Sequence, residues 1–347
     1  MGNSQSRLKK KSSSKKRKIK NIVLISLMAL TSAIIFFAIN LSWEAKHANN
    51  KMFVPLEKDL KDTSIKNELV AKADDSPFTI LLTGVERGKT EKYGRSDMLI
   101  VATVNPSTNK ISMVSIPRDT LVHIEGLDRE DKINHAYANG GIDWVSEAIE
   151  TMLGIPIDYY VSTDFQGFQD IVDTIGGVEV DVPFTFKIQL ANFEWKTFTE
   201  GPMFLEGDEA LAYVRMRKKD PEGDKGRNER QQQVIESLLN KMTNVGMITK
   251  IDDLIEDVGD NVKTNIPSSD YLKLAKMYQK FKNSPIEHLQ LDGSGKMIYS
   301  KEAGLDLWYF VPEEDSLSKV GEQLKSNLVS TTYKADVEEV KDLSIGK

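Results

Sequence analysis

The run PFTILLTGVERGKTEKYGRSDMLIVATVNPSTNKISMVSIPRDT, residues 77–120, carries the reading that decides the fold. Within it Phe78–Leu82, Met98–Val104 and Ile111–Ile116 are short, rich in β-branched residues and broken by glycine or by the Asn105-Pro106 turn signal, the pattern of strands joined by turns. Downstream the period changes. Asp143–Met152 and Asp164–Ile175 have helical spacing, and Gly176-Gly177 closes the second. Val178–Val182 reads as another short strand, Gly207–Val214 as a helix, and Asn228–Met242 as a longer helix with Val234, Leu238, Leu239 and Met242 on one stripe. Ser268–Phe281 predicts a further helix capped by Ser268 or Ser269, followed by strands at Ile286–Leu291 and Leu307–Val311. Strands mixed with helices, without an internal repeat, predict an α/β or α+β domain over residues 78–315.

Of 347 residues, 40% are apolar and 28% charged, a globular balance. The absence of cysteine excludes disulfide scaffolds, thiolate zinc sites and thiol nucleophiles. Four histidines, none in an H-E-x-x-H arrangement, argue against a histidine-built metal site. No GxGxxG, Walker A or G-x-S-x-G is present, so nucleotide-binding and α/β-hydrolase readings lose their usual support.

Charge is unevenly spread. Residues 1–20 hold nine lysines and arginines and no acid; removing those nine from the net −6 leaves −15 for residues 21–347. Ile22–Ile39 then runs eighteen residues without a charge or a side-chain amide, which at ~1.5 Å per residue spans roughly the hydrocarbon core of a bilayer. The positive flank predicts a cell-membrane, single-pass chain with its N-terminus in the cytoplasm and the remainder outside. Trp43 stands where an interfacial aromatic would. A cleaved signal peptide is the competing reading, but the run is long for one and no A-x-A site follows. The expected divisions are therefore a basic tail over 1–21, an anchor over 22–42, an extracellular stalk or entry helix over 43–77, the domain over 78–315 and a charged C-terminal segment over 316–347.

Several constellations can carry chemistry. Glu86-Arg87 and Gly94-Arg95-Ser96-Asp97 flank a loop between two strands, so Glu86 and Asp97 can meet; two carboxylates beside arginines suit Mg²⁺, which completes its shell with phosphate oxygens and water. The ordinary alternative is a turn with surface ion pairs. Pro117 ends the third strand and turns Arg118 and Asp119 off its edge, where Arg118 can grip a phosphate or Asp119 can cap a turn. Between Arg215 and Arg230 seven cations gather in an otherwise acidic ectodomain and lead into a helix N-terminus, which favours an anionic ligand. Lys132 and Asn134 in DKINHAYANGG can donate to phosphate or sugar, while His135 is not assigned as a base. Phe165, Phe168, Ile171, Val172, Ile175, Val234, Leu238 and Leu239 either fill a core or line a lipid cavity.

Taken together, GVER from Gly84, GRSDMLIVATVNP from Gly94, ISMVSIPRDT from Ile111, DKINHAYANGG from Asp131, DIVDTIGGVEV from Asp170 and GDEALAYVRMRKKDPEGDKGRNERQQQVI from Gly207 resemble the LytR–CpsA–Psr family of cell-wall ligases. The likeness extends over roughly 78–310 and implies an α-β-α layered domain with a mixed central sheet and a long hydrophobic pocket for a polyprenyl chain. It implies a membrane-anchored phosphotransferase of Gram-positive bacteria. Such an enzyme moves an anionic glycopolymer, wall teichoic acid being the expected one, from an undecaprenyl-pyrophosphate carrier to peptidoglycan. On the same footing Arg95, Arg118, Arg215 and Arg227 would grip the pyrophosphate, with Arg217 second in rank. Asp97 would bind Mg²⁺ or activate the acceptor hydroxyl. Where the family pattern has aspartate this chain has Glu86, whose extra methylene points to a water-mediated contact with the metal or an ion pair with Arg87.

Two other functions use the same residues. A lipid-pyrophosphate pyrophosphatase would put water in place of the sugar hydroxyl. A non-catalytic wall-polymer binding or regulatory protein would need no metal. Nucleic acid is not an expected partner, because the tail has no room for a helix-turn-helix and basic residues beside an anchor are explained by topology and anionic lipid.

Overall fold

The computed structural model describes residues 52–61, 76–86, 93–242, 257–259, 261–281 and 284–329. The basic tail, the anchor read at 22–42, Arg87 and the chain beyond 329 lie outside them. Among the described residues no helix is long and apolar enough to cross a membrane.

The three strands read from residues 77–120 form the middle of a six-stranded sheet. They are β1 (Phe78–Glu86), β2 (Arg95–Asn105) and β3 (Lys110–Ser115), a meander of antiparallel neighbours. After β4 (Leu121–Ile124) and β5 (Arg129–Lys132), a small hairpin, the chain enters helix α2 (Ile133–Leu153), α1 being a single turn at Glu57–Lys61. The helix bends at Gly141, whose φ of 67° and ψ of −146° are open to glycine alone, so the predicted Asp143–Met152 helix is its second half. β6 (Tyr159–Asp164) then pairs parallel to β1. The sequence reading had no strand here. Asp164 had been taken into the next helix, and its carboxylate does cap it, accepting from Gly167 N–H at 2.9 Å at the start of α3 (Phe165–Thr174).

Beyond α3 come β7 (Val178–Val182), β8 (Phe186–Gln189), β9 (Trp195–Phe198) and β10 (Gly201–Leu205), then α4 (Gly207–Arg215) and α5 (Asp224–Met242). β11 (Val262–Thr264) joins the sheet antiparallel to β6, and β12 (Ile286–Leu289) parallel to β3. The order is therefore β11-β6-β1-β2-β3-β12, a mixed sheet in which β6, β1, β3 and β12 point one way. α6 (Ser268–Tyr278) lies between β11 and β12, and its N-cap is Pro267, with no side-chain cap bond from either serine. β13 (Gly293–Ser300) and β14 (Leu305–Pro312) make a separate ribbon, and α7 (Glu314–Asn327) follows.

Alternation along the strands assigns the two sheet faces. Leu81, Val85, Leu99, Val101 and Val114 pack on Val145, Ile149 and Leu153 of α2 and on Val320 and Leu324 of α7. Phe78, Ile100, Ala102, Val104 and Met113 pack on the other face with Met277 and Phe281. This is the expected α-β-α layering. The charged residues after 315 hid α7, whose Val320 and Leu324 are buried at helical spacing. Part of the segment read as stalk also joins the domain: Leu56 is buried in the first core, and Val54 N–H donates to Thr264 O at 2.8 Å. A third core, with Phe168, Val172, Val180, Val234 and Leu238, ties α3, β7, α4 and α5 together. Most of the apolar side chains weighed as a lipid cavity fill this core.

Candidate functional site

Because β1, β3 and β6 run in one direction, their C-terminal ends meet on one edge of the sheet, where open α/β sheets bind ligands. Glu86, Arg95, Asp97 and Arg118 belong to this edge, Arg215 and Arg227 to α4 and α5 beside it, and Arg217 to the loop between those helices. Asp97 is delivered by a β-bulge: the β1–β2 register jumps from Gly84↔Met98 to Val85↔Ser96, leaving Asp97 as the extra residue and re-aiming its side chain. Arg118, from the turn that ends β3, donates to Asp97 Oδ1 at 2.6 Å. Asp119, in the same turn, takes Lys132 Nζ at 2.7 Å, and its other oxygen lies 3.5 Å from Arg118 Nε.

α5 begins one turn earlier than its apolar stripe predicts, so Arg227 sits on the helix and not in the preceding loop. Asp224, unremarked in the sequence reading, heads that helix and gathers two cations, Arg227 at 2.9 Å and Arg217 at 2.8 Å. Its signal was present, as an acid four residues before the predicted helix start. Electrostatics joins these groups into one cluster. Burial works against the Arg118 charge, yet the hydrogen bond to Asp97 and the charges of Asp97, Asp119 and Asp224 outweigh it and raise its pKa. Burial pulls Arg227 below its ordinary value; Asp224 and Asp97 oppose this, while Arg118 and Arg217 add to it. Arg227 is 7% exposed. Among the described residues, Nε of Arg118 and Nε of Arg227 are buried without a hydrogen-bond partner. Two guanidiniums, each paired to its own carboxylate and each with an unsatisfied Nε donor, can form a receptor for an anion.

A second group stands beside the first. Arg215, the last residue of α4, lies 3.7 Å from Glu86 Oε1 and stacks over Phe165 at 4.1 Å from the ring centroid. Arg95 opens β2 directly across from Glu86. Arg217, second in rank by sequence, thus shares Asp224 with Arg227, whereas Arg215 and Arg95 accompany Glu86. His135 Nδ1, in the first turn of α2, lies 2.9 Å from Asp131 Oδ1 of β5, a structural contact, and Lys132 is engaged by Asp119.

What holds the arginine loop is Arg230. Its side chain is 2% exposed, ion-paired to Asp220 that is equally buried, and donates to the carbonyls of Met216 and, at 3.1 Å, Tyr213. Gln232, on the same helix, ties α5 to the sheet, donating to Ser115 Oγ at 2.9 Å with its oxygen 3.0 Å from His288 Nδ1. Among the described residues no group of three or more His, Asp or Glu side chains is arranged to hold a metal. A dedicated protein cage for Mg²⁺ is therefore not built here. The donor set fits the other mode, in which one carboxylate, Asp97, is joined by phosphate oxygens and water.

The LytR_cpsA_psr family model matches residues 39–326. The polyisoprenyl-teichoic acid–peptidoglycan teichoic acid transferase TagU of Bacillus licheniformis is 36% identical over 313 residues, covering 90% of this chain and 98% of the relative. The crystal structure of B. subtilis TagV superposes with a TM-score of 0.65 at 41% identity, covering 74% of this chain and 98% of that one. A structure described as TagT bound to LIIa-WTA matches at a TM-score of 0.60 and 30% identity, over 74% and 92% of the two chains. The motif order, the layered mixed sheet and these matches agree: this chain belongs to the LytR–CpsA–Psr family.

Proposed function

We propose that this chain is a membrane-anchored phosphotransferase that moves an anionic glycopolymer, wall teichoic acid, from undecaprenyl pyrophosphate to peptidoglycan through a phosphodiester. The observation that carries the reading is the pair of incompletely satisfied guanidiniums, half-buried Arg118 and buried Arg227, beside Asp97 and Asp224. Relatives named as teichoic acid transferases support the choice of polymer. Residues 22–42 anchor the chain and leave the domain outside the cell membrane.

The pyrophosphate takes the place of the carboxylates on Arg118, Arg217 and Arg227, and Arg215 and Arg95 extend the cationic wall. As the substrate occupies Arg118, Asp97 is released to accept the proton of the acceptor hydroxyl. That oxygen bonds to the phosphorus bearing the polymer, the bridging P–O bond breaks, and undecaprenyl phosphate leaves with the electron pair. Arginines fixed before the substrate arrives stabilise charge that grows on the leaving phosphate without reorganising. Mg²⁺, when bound, supplies further neutralisation of that charge; Asp97 would hold it directly, and Glu86, which already faces Arg215, would reach it through water.

The test is to incubate the full-length chain in detergent with a synthetic lipid-pyrophosphate saccharide, a peptidoglycan oligomer and Mg²⁺, and to seek a phosphodiester-linked conjugate by mass spectrometry. A conjugate that disappears in Arg118→Ala and Asp97→Ala is the expected result. Release of lipid phosphate without a conjugate would make the protein a pyrophosphatase. Polymer binding without any reaction would make it an adhesin or regulator.

A further inference from the structure

The β13–β14 ribbon carries a row of aromatic residues that the chemistry above does not use. Its register pairs Gly293 with Pro312, Gly295 with Phe310, Met297 with Trp308 and Tyr299 with Asp306. Phe310, Trp308, Met297 and Tyr299 therefore share one face with the two glycines. The glycines let the rings lie down on the backbone. A Cβ on Gly293 would sit 2.5 Å from Phe310 Cζ, and one on Gly295 would sit 2.6 Å from Trp308 Nε1 and 2.9 Å from Cε2. The indole covers Gly295 on one side and remains 41% exposed, while Met297 and Tyr299 are each 62% exposed. On the ribbon's other face Tyr309 is turned to the domain, 4% exposed, with Lys132 Nζ 5.4 Å from its ring centroid. Phe310 packs partly on the first core, whereas Trp308, Met297 and Tyr299 beyond it stay open, and an apolar strip left open in this way marks a binding surface.

One turn joins the strip to the anion site. Phe310 N–H donates to Asp119 O at 2.9 Å, and Thr120 bridges to Phe310, so the row starts beside Arg118. It runs away from it at ~7 Å per pair of residues. The charges of the ribbon, Lys296, Lys301, Glu302 and Asp306, cancel, and Glu302 is ion-paired to Arg129. An aromatic strip whose own face carries one charge, Asp306 opposite Tyr299, and that is continuous with a cationic pocket suits a saccharide that offers pyranose C–H faces and little charge. Of the two polymers in the proposed reaction, that describes the acceptor and not the phosphate-rich donor. A membrane surface is the rival occupant, but the tip a dipping hairpin would bury is Lys301-Glu302-Ala303-Gly304, and burying those charges is costly.

We infer that this strip is the acceptor subsite: it holds the glycan of peptidoglycan against Trp308 and Tyr299 and presents its hydroxyl to the phosphate at Arg118. The inference rests on the transferase reading, and its test separates the two. The full-length chain in detergent is titrated with soluble, uncross-linked peptidoglycan strands freed of teichoic acid, with anionic lipid vesicles, and with inorganic pyrophosphate. Trp308→Ala and Tyr299→Ala are expected to weaken glycan binding about five- to tenfold, and Trp308→Phe to restore most of it. Pyrophosphate binding and melting temperature stay as in the wild type, and in the transfer assay KM for the acceptor rises with kcat retained. If Trp308→Ala fails to fold, Tyr299→Ala, a largely exposed side chain, carries the test. Unchanged glycan affinity in the folded alanine variants overturns the inference. Loss of vesicle binding with glycan binding intact also overturns it and gives the strip to the membrane. A wild type that binds glycan through Trp308 but neither binds lipid pyrophosphate nor forms a conjugate refutes the activity while supporting the strip as a glycan site.

Discussion

Replacing Asp220 by alanine should cost this protein more than removing any other carboxylate near the site, and the reason is Arg230. The two side chains are each 2% exposed, and among the described residues the guanidinium is held by that carboxylate, the carbonyls of Tyr213 and Met216, and the Tyr213 ring 5.8 Å away. Gly226 makes the approach possible, since a Cβ there would sit 2.3 Å from Asp220 Oδ2. Deleting one partner of a buried pair leaves an uncompensated charge, a loss of about 3–5 kcal/mol. A cavity of about 200 Å³ lined by Asp220, Arg230, Tyr213 and Gln233 adjoins the pair and admits water to the stranded cation, which places Asp220→Ala near the lower end, about 3 kcal/mol. For a domain of this size that is a fall in melting temperature of about 6–12 °C. The double variant Asp220→Ala/Arg230→Met strands no charge; it loses donors to two carbonyls that water in the cavity can serve. It should melt no lower than Asp220→Ala alone. The assay is thermal unfolding of wild type, both single variants and the double, followed by circular dichroism. A drop below about 2 °C for Asp220→Ala, or single effects that simply add in the double, would refute the claim that Arg230 pins the loop through a coupled buried pair.

Other outcomes are expected of the site and the fold. Arg118→Ala should lower transfer by about 10²–10³ with the melting temperature unchanged within a few degrees, as steady-state kinetics and a melt on the same preparation would show. Asp224→Asn removes the counter-charge from Arg217 and Arg227, so calorimetric titration should find inorganic pyrophosphate bound about three- to tenfold more tightly by a less stable protein. For Asp131, burial alone would raise the pKa, but hydrogen bonds from His135, the Lys132 backbone and Arg129 outweigh it and hold the carboxyl below its ordinary 3.8. Its stabilisation is therefore present above that value and lost as pH falls through the lower folded one, and Asp131→Asn should flatten the stability profile below about pH 4 in urea unfolding. Gly141→Ala should lose about 1–3 kcal/mol in the same measurement, because its dihedrals exclude a side chain and a Cβ would meet the Tyr93 ring at 2.8 Å.

The sequence made the meander β1–β2–β3 and the helices α3, α4 and α6 legible because each combines one clear period with turn or glycine punctuation. It hid β6, whose YYVSTD mixes aromatic and polar residues, since a strand buried between β1 and β11 is specified by its neighbours and not by its own alternation. It hid α7 for the opposite reason: a polar face of eight charged or hydroxyl residues masks Val320 and Leu324, which matter only once the sheet lies beneath them. Of the site, the residue types were readable and their pairing was not. Asp97 and Arg118 are 21 residues apart, and only the bulge in β2 and the turn after β3 bring them together. Asp224 was passed over because an acid at a helix start looks the same whether it caps a helix or gathers arginines.

The carboxylates of the site have a purpose that their presence in an anion pocket makes less than obvious. Arg118, Arg217 and Arg227 would repel one another without counter-charges, and burial already depresses Arg227. Asp97 and Asp224 keep the three cations together before a substrate arrives, at the cost of competing with it. The competition is mild where it matters, because both carboxylates are about a quarter exposed and pass readily to water, whereas the two buried Nε donors have no hydrogen-bond partner among the described residues. A pyrophosphate therefore displaces the weaker half of each arrangement and satisfies the stronger. In the proposed reaction the same exchange would release Asp97 to act as the base. The turn that carries Arg118 also carries Asp119, whose carbonyl receives the aromatic ribbon. If the two proposals hold, donor and acceptor are positioned from a single four-residue turn, and a displacement of Pro117–Thr120 disturbs both halves of the reaction together.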